Sequence, residues 1–227
     1  MVEYTYNVVP IPFSPLPQSH VDKHASLRLL ALRTNPECFL STLEDESRLS
    51  PEQWRGRIDT EDRVTFIAVA SEIPKYAPFD APLDPTSSSS SSSLADTSGP
   101  STLLDDDTAK WVGLVTVLTP EFLQKRWDDL PRKFRKFAMR SGKPAHVLVS
   151  MWVHPEHRHK GLGRLLISQA VDWVKNRVEK SSVEDKRGDV VLEVFEQNTG
   201  AIVLYRAMGF EDIEEVPPSI WMGRKIA

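Results

Sequence analysis

A mixed α/β (α+β) fold follows from three features of the sequence. A β-type run, Val147 to Val153, passes through His154-Pro155 and a glycine-containing turn into a stretch with Leu162, Leu165, Leu166, Ala170, Trp173 and Val174 at helical spacing. A second strand, Asp189 to Phe195, leads into a short helix, Thr199 to Met208, closed by Gly209 where a left-handed C-cap favours glycine. Upstream, the apolar runs Val64 to Val69 and Trp111 to Leu118 flank a long polar stretch, as two neighbouring strands flank an overgrown hairpin loop. At 227 residues, 40% hydrophobic and 26% charged, the chain can bury one substantial core, and two compact domains would be a squeeze. Residues 1–227 are therefore expected to form a single domain.

The elements run in order from a first strand at Tyr4 to Ile11. Leu27, Leu30 and Ala31 set a helical rhythm within Asp22 to Arg33, and Pro36 ends it. Ser50-Pro51-Glu52-Gln53 opens a second helix: serine caps, proline suits the first turn, and glutamine three residues on closes a capping box. Trp54 and Ile58 then share a face. Pro74 to Asp107 carries five prolines and seven consecutive serines, Ser87 to Ser93, and ends on three aspartates. Such a composition buries too little apolar surface to offset its ordering entropy, so residues 74–109 read as a flexible insertion. A second insertion, residues 120–144, is basic: eight lysines and arginines face three acids between Pro120 and Lys143, a net +5. Phe134 and Phe137 are interleaved there, which raises a nucleic-acid arm as one reading. The reading preferred is a short helix with a solvated basic face and both phenylalanines inward. The last strand is expected at Ile220 to Ile226, after Pro217-Pro218.

Charge and cysteine content narrow the function classes. With 28 basic and 32 acidic residues the net charge is -4, so no bulk positive field holds nucleic acid or an anionic membrane. The single cysteine, Cys38, can form neither an internal disulfide nor a multi-thiolate metal site. The N-terminus lacks a basic start followed by an apolar run, and no 18-residue apolar span occurs, so a cytoplasmic protein without a membrane helix is expected.

Chemistry concentrates after His146. A strand, a glycine turn and a helix N-terminus in succession present free N–H groups and a positive dipole end to an anion. Gly161 and Gly163 keep side chains out of the approach, and Arg158, His159, Lys160 and Arg164 add cationic neighbours. A dinucleotide fingerprint would need a third glycine where Leu166 stands, and no Gly-Lys-Ser/Thr of a P-loop is present. The segment matches Arg/Gln-x-x-Gly-x-Gly/Ala instead. Downstream, Asn198 can cap the helix that carries Tyr205. Seven residues at about 100° each bring both side chains to one helix face.

From Val153-His154-Pro155 through Arg158 to Gly163, and again from Asn198 to Phe210, the sequence resembles the GNAT superfamily of N-acetyltransferases. The likeness is sharp over about Ala145 to Phe210 and loose upstream. It implies a mixed, mostly antiparallel sheet of six or seven strands with helices on both faces, and acetyl-CoA as cosubstrate. It further implies that the strand end at Trp152 and Val153 meets the pantetheine and the thioester carbonyl. Residues Arg158, His159, Lys160, Gly161, Leu162, Gly163 and Arg164 would wrap the pyrophosphate, Asn198 would hold the pantetheine arm, and Tyr205 would protonate the departing thiolate.

An alkylamine acceptor, with a pKa near about 10.4, must lose a proton before it attacks. Glu193 is the leading base because it interrupts the apolar strand Val190 to Phe195. Some relatives use a glutamate on the preceding strand, where this chain has Val147; His146 and Ser150 are second choices. The oxyanion would be met by a backbone N–H near Val153. An acetyl-enzyme on Cys38 lacks a basic partner, and a metal at His154, Glu156, His157 and His159 lacks a further ligand, so no metal is expected. Glu44, Asp45 and Glu46 could draw in a cationic amine but read more simply as a solvated loop. The acceptor itself is not readable. The expected partners are acetyl-CoA and an amine, on a monomer or homodimer, with no membrane; the alternatives are a non-catalytic acyl-CoA-binding module or a nucleic-acid-binding protein using residues 125–143.

Overall fold

Seven strands form one sheet in the computed structural model, which describes residues 2–73, 100–106, 108–140, 143–180 and 188–226. They are β1 (Tyr4–Pro10), β2 (Arg63–Glu72), β3 (Lys110–Leu118), β4 (His146–Val153), β5 (Gly188–Phe195), β6 (Glu211–Val216) and β7 (Ser219–Ile226). Their order across the sheet is β1-β2-β3-β4-β5-β7-β6. Every pairing is antiparallel except β4 with β5. Period-two alternation sends Phe66, Ala68 and Ala70 of β2 to one face and Ile67 and Val69 to the other, so both faces need cover.

That cover explains the helices. On one face α7 (Leu162–Lys180) lays Leu166, Ile167, Ala170 and Val174 against the sheet, accompanied by Ile202 and Tyr205 of α8 (Thr199–Ala207). The other face takes Val21, Leu27 and Ala31 of α1 (Gln18–Thr34), together with Trp54 of α3 (Pro51–Arg55). The short α2 (Leu43–Ser47) lies between them in sequence. Ser50 and Gln53 form the expected capping box on α3, and α1 begins one turn earlier than its apolar rhythm suggested. Among the described residues no helix is long and apolar enough to cross a membrane.

Three sequence expectations change. First, β6 went unread because Glu211, Asp212, Glu214 and Glu215 mask its alternation; it is an edge strand, where charge discourages pairing with another chain. Second, the segment of residues 74–109 is not loop throughout: Pro100–Asp105 forms α4, and Leu104 is fully buried in the α1 cluster. The seven serines lie outside the described residues. Third, the basic segment folds into two helices, α5 (Pro120–Lys125) and α6 (Arg132–Ala138). Phe137 stacks on Trp221 at 4.4 Å and Phe134 meets the same ring edge-on, the inward orientation preferred from the sequence. Three of its eight cations pair with acids of the chain: Lys125 with Asp62, Lys133 with Glu193 and Lys136 with Glu214, each at 2.6 Å.

Two histidines carry a folding consequence. Burial, reinforced by Arg57, Arg28 and Arg63, pushes His24 down to about 3; burial, reinforced by Arg177, pushes His146 down to about 4. Neither His146 ring nitrogen has a partner among the described residues. Both groups bind protons more readily when unfolded, so their contribution is complete above about pH 6.5 and is lost as pH falls toward about 4, by up to about 3 kcal/mol per histidine. Thermal unfolding followed from pH 7.5 to 4.5 is expected to show the midpoint falling over that window. His146→Leu, which removes no hydrogen bond, should flatten the slope; an unchanged slope would contradict the assignment.

Candidate functional site

The site originates in an irregularity of β4. Ser150 and Met151 together stand opposite Val115, between the pairs Leu114↔Trp152 and Thr116↔Val149, and Ser150 adopts φ 59°. This β-bulge turns the strand. The parallel ladder with β5 spans only His146–Leu148 against Val190–Leu192, and no pairing continues beyond it. A cleft therefore opens between the C-terminal halves of β4 and β5, with the start of α7 on one side and α8 on the other.

The larger of two adjoining cavities there has a volume of about 590 Å³. Its lining includes Trp152 and Val153 at the end of β4, then Arg158, His159, Gly161, Leu162, Gly163 and Arg164. Asn198 and Tyr205 line it from α8. Lys160 departs from expectation: its ammonium turns away to Tyr6 Oη at 3.0 Å and lies over the Tyr4 and Tyr6 rings, so its side chain takes no place in the cavity. Arg158 is more brace than free cation. Its Nε donates to Val153 O at 2.9 Å and its Nη2 to Asn35 Oδ1 at 2.6 Å, and Trp152 Nε1 donates to the same oxygen at 3.1 Å. Asn35, which ends α1, thus ties the turn to the strand, a role no local pattern disclosed.

Between that brace and α7 the backbone is wound to present donors. His159 (φ 59°) and Gly161 (φ 82°) are left-handed, an alternation that makes neighbouring N–H groups converge. Among the described residues no acceptor takes the N–H groups of His159 through Arg164; the first closed bond is Leu165 N–H to Gly161 O at 3.0 Å. A Cβ placed on Gly161 would meet nothing within 4 Å, so the turn is open at that residue, which lines the cavity. Six N–H groups at the positive end of a 19-residue helix form a strong anion cradle.

At the far end, Asn198 lines the cavity, and its Oδ1 accepts Ala201 N–H at 3.3 Å and caps α8. Tyr205 is only 7% exposed, and among the described residues its hydroxyl has no hydrogen-bond partner. Burial, with a smaller effect from the Cys38 thiol, pushes the phenol well above its ordinary value and keeps it protonated. Cys38 also shifts upward, through burial and the adjacent Glu37 carboxylate, which disfavours a thiolate nucleophile.

A smaller cavity of about 190 Å³ adjoins the first, and Cys38 lines both. Glu193 and Ser150 lie in this second space, so the expected base and Tyr205 belong to different cavities. Glu193 is also not a free carboxylate, because Lys133 Nζ donates to its Oε1 at 2.6 Å. Val147 lines the same cavity as a buried apolar group. His146 lines neither; it packs edge-on to Trp173, which removes it as a candidate base. The acidic residues expected in a solvated loop form α2 instead, where Glu46 is buried between Arg28 and Arg57 and Glu44 pairs with Arg48. Neither lines either of these two cavities, so α2 does not supply the attraction for a cation considered from the sequence. Ligand atoms of His154, Glu156 and His157 lie within 4.8 Å of one another, but His157 Nδ1 is 3.1 Å from Tyr6 Oη, and His159 joins the large cavity instead.

A family model described as acetyltransferase (GNAT) family matches residues 67–210. Arabidopsis thaliana NAA60 in complex with a bisubstrate analogue is similar in structure, at 17% identity and TM-score 0.50, over 97% of this chain and 100% of that one. A GNAT-family acetyltransferase from Streptococcus pneumoniae gives 13% and 0.54, over 98% and 100%. PaiA N-acetyltransferase from Thermoplasma acidophilum, solved with coenzyme A, gives 12% and 0.51, over 97% and 99%. At these identities the likeness speaks to the fold. Curated proteins yielded no match.

Proposed function

Because the chain belongs to the acetyltransferase (GNAT) family, we propose that it transfers an acetyl group from acetyl-CoA to a primary amine by direct attack within a ternary complex. The whole chain acts as one catalytic domain, with residues 74–109 and 120–144 as insertions upon it. The observation that carries this reading is the run of N–H groups from His159 to Arg164 that have no acceptor among the described residues, in a turn that lines the same cavity as Tyr205, whose hydroxyl likewise has no partner among them. The solved relatives bearing coenzyme A or a bisubstrate analogue support the cosubstrate.

In this mechanism the cradle holds the pyrophosphate through the main chain, and the Asn198 NH2 steadies the pantetheine arm. The thioester carbonyl lies along the unpaired edge of β4 near Val153, where one preset N–H donor can be worth about 3 kcal/mol to the oxyanion. The acceptor enters through the smaller cavity and meets the thioester beside Cys38. Glu193 accepts the proton that leaves the amine nitrogen, directly or through a water, and Lys133 fixes its carboxylate. As the C–N bond forms and the C–S bond breaks, Tyr205 Oη donates to the departing sulfur.

The test is release of free thiol from acetyl-CoA across a panel of amino acids, aliphatic and aromatic amines, polyamines and peptides. Amine-dependent release with a matching acetylated product is expected. Tight acetyl-CoA binding without turnover on any amine would recast the chain as a binding module.

A further inference from the structure

The smaller cavity carries information on which amine is acetylated, an inference that rests on the acetyltransferase reading. Its volume of about 190 Å³ is below the roughly 300 Å³ at which drug-sized pockets begin, so it takes a compact group. Phe39, Leu40, Phe134, Leu148 and Phe195 make most of its wall apolar. Two of its lining residues, Ser219 and Arg28, hold a buried polar atom that is not satisfied. Ser219, fully buried, has an Oγ with no partner among the described residues, and Arg28, 5% exposed, has the same deficit at Nη1. Buried donors left unpaired cost about 1–3 kcal/mol each, so two along one small cavity require an explanation.

The charge around them is unbalanced. Arg28 donates through Nε and Nη2 to Glu46 at 3.1 and 3.0 Å, and Arg57 Nη1 reaches the same carboxylate at 3.0 Å. Two guanidinium groups thus share one carboxylate and leave an excess positive charge. Those contacts occupy the edge of Arg28 that faces Glu46, which does not line the cavity; Nη1 is on the opposite edge. The Phe39 ring, which does line it, lies 4.5 Å from the Arg28 guanidinium carbon. The remaining acid, Glu193, is matched by Lys133. A polycation gains nothing in such a place, whereas a carboxylate completes it.

We infer that the acceptor is a compact apolar amine that also carries a carboxylate, as an aliphatic or aromatic amino acid does. Its oxygens are received by Arg28 Nη1 and Ser219 Oγ, and its side chain lies among Phe134, Leu148 and Phe195.

Initial rates with L-phenylalanine, L-leucine, L-phenylalaninamide, phenethylamine and spermidine test this on the intact protein. Phenylalanine and leucine are expected to exceed phenylalaninamide and phenethylamine by about tenfold or more in kcat/KM, the value of a hydrogen bond to a charged group, with spermidine lowest. Equal rates for the amide and the acid, or a preference for phenethylamine or spermidine, would overturn the carboxylate assignment. Acetylation of other amines with none of the amino acids turned over would overturn it too, while leaving acetyl transfer intact; no thiol release with any amine would remove both readings. Ser219→Ala gives a second readout at little risk to the fold, because the lost hydroxyl has no partner among the described residues. Its melting temperature should hold or rise while KM for phenylalanine increases by about tenfold and KM for acetyl-CoA stays put. An unchanged phenylalanine KM would overturn the role of Ser219.

Discussion

Tyr205→Phe is expected to lower kcat by about a hundredfold or more while acetyl-CoA binding stays within about twofold of the wild type. The substitution keeps the ring, and with it the packing against Phe210 at 5.9 Å, and removes only the hydroxyl. That hydroxyl has no partner among the described residues, so its loss costs the fold no hydrogen bond. In the proposed mechanism, what disappears is the donor to the departing sulfur. Burial pushes the phenol upward, so it remains loaded with its proton throughout the working range. Its ionisation should therefore produce no fall in rate on the alkaline side up to about pH 9, since an unperturbed tyrosine already titrates near 10 and this one lies higher. Single-turnover acetyl transfer separates the chemical step from product release, and calorimetry with acetyl-CoA measures binding independently. An unchanged single-turnover rate would assign Tyr205 to packing alone.

Gly161→Val is expected to raise the dissociation constant for acetyl-CoA by about a hundredfold while leaving the rest of the domain folded. Two effects add. The position is left-handed, φ 82°, which costs an L-residue about 1–2 kcal/mol and a β-branched one more. The new side chain would meet no protein atom near its Cβ, so instead of straining the packing it adds bulk at a residue that lines the large cavity. Circular dichroism should show the helices retained, and calorimetric titration with coenzyme A should show the heat of binding nearly abolished. Affinity within about threefold of the wild type would mean that the diphosphate is held elsewhere.

The parts of this protein that were legible early are those in which cause and effect lie close along the chain. The capping box at Ser50 and Gln53, the left-handed Gly209 and the shared cavity of Asn198 and Tyr205 all depend on neighbours within two helical turns. The glycine turn at Gly161 and the helix that follows it belong with them. Other residues gave weaker or misleading signals. Glu193 was noticed because it breaks an apolar strand, yet its partner Lys133 lies 60 positions away, and nothing local specified that pairing. Lys160 sits inside the cradle motif but directs its charge to tyrosines on β1, 154 residues distant. The acidic β6 concealed its alternation because an edge strand is selected for charge more than for burial.

By itself the sequence determined the glycine turn ahead of α7, the helix caps and the two strand–turn–helix blocks, because short-range hydrogen bonds and backbone sterics depend on which residues are adjacent. Only the tertiary structure decided the rest of the site. The order in which strands join the sheet, the bulge at Ser150 and the parting of β4 from β5 bring Asn35, Cys38, Glu193 and Ser219 to one cleft. Those contacts span long stretches of chain, and the packing of both sheet faces sets them.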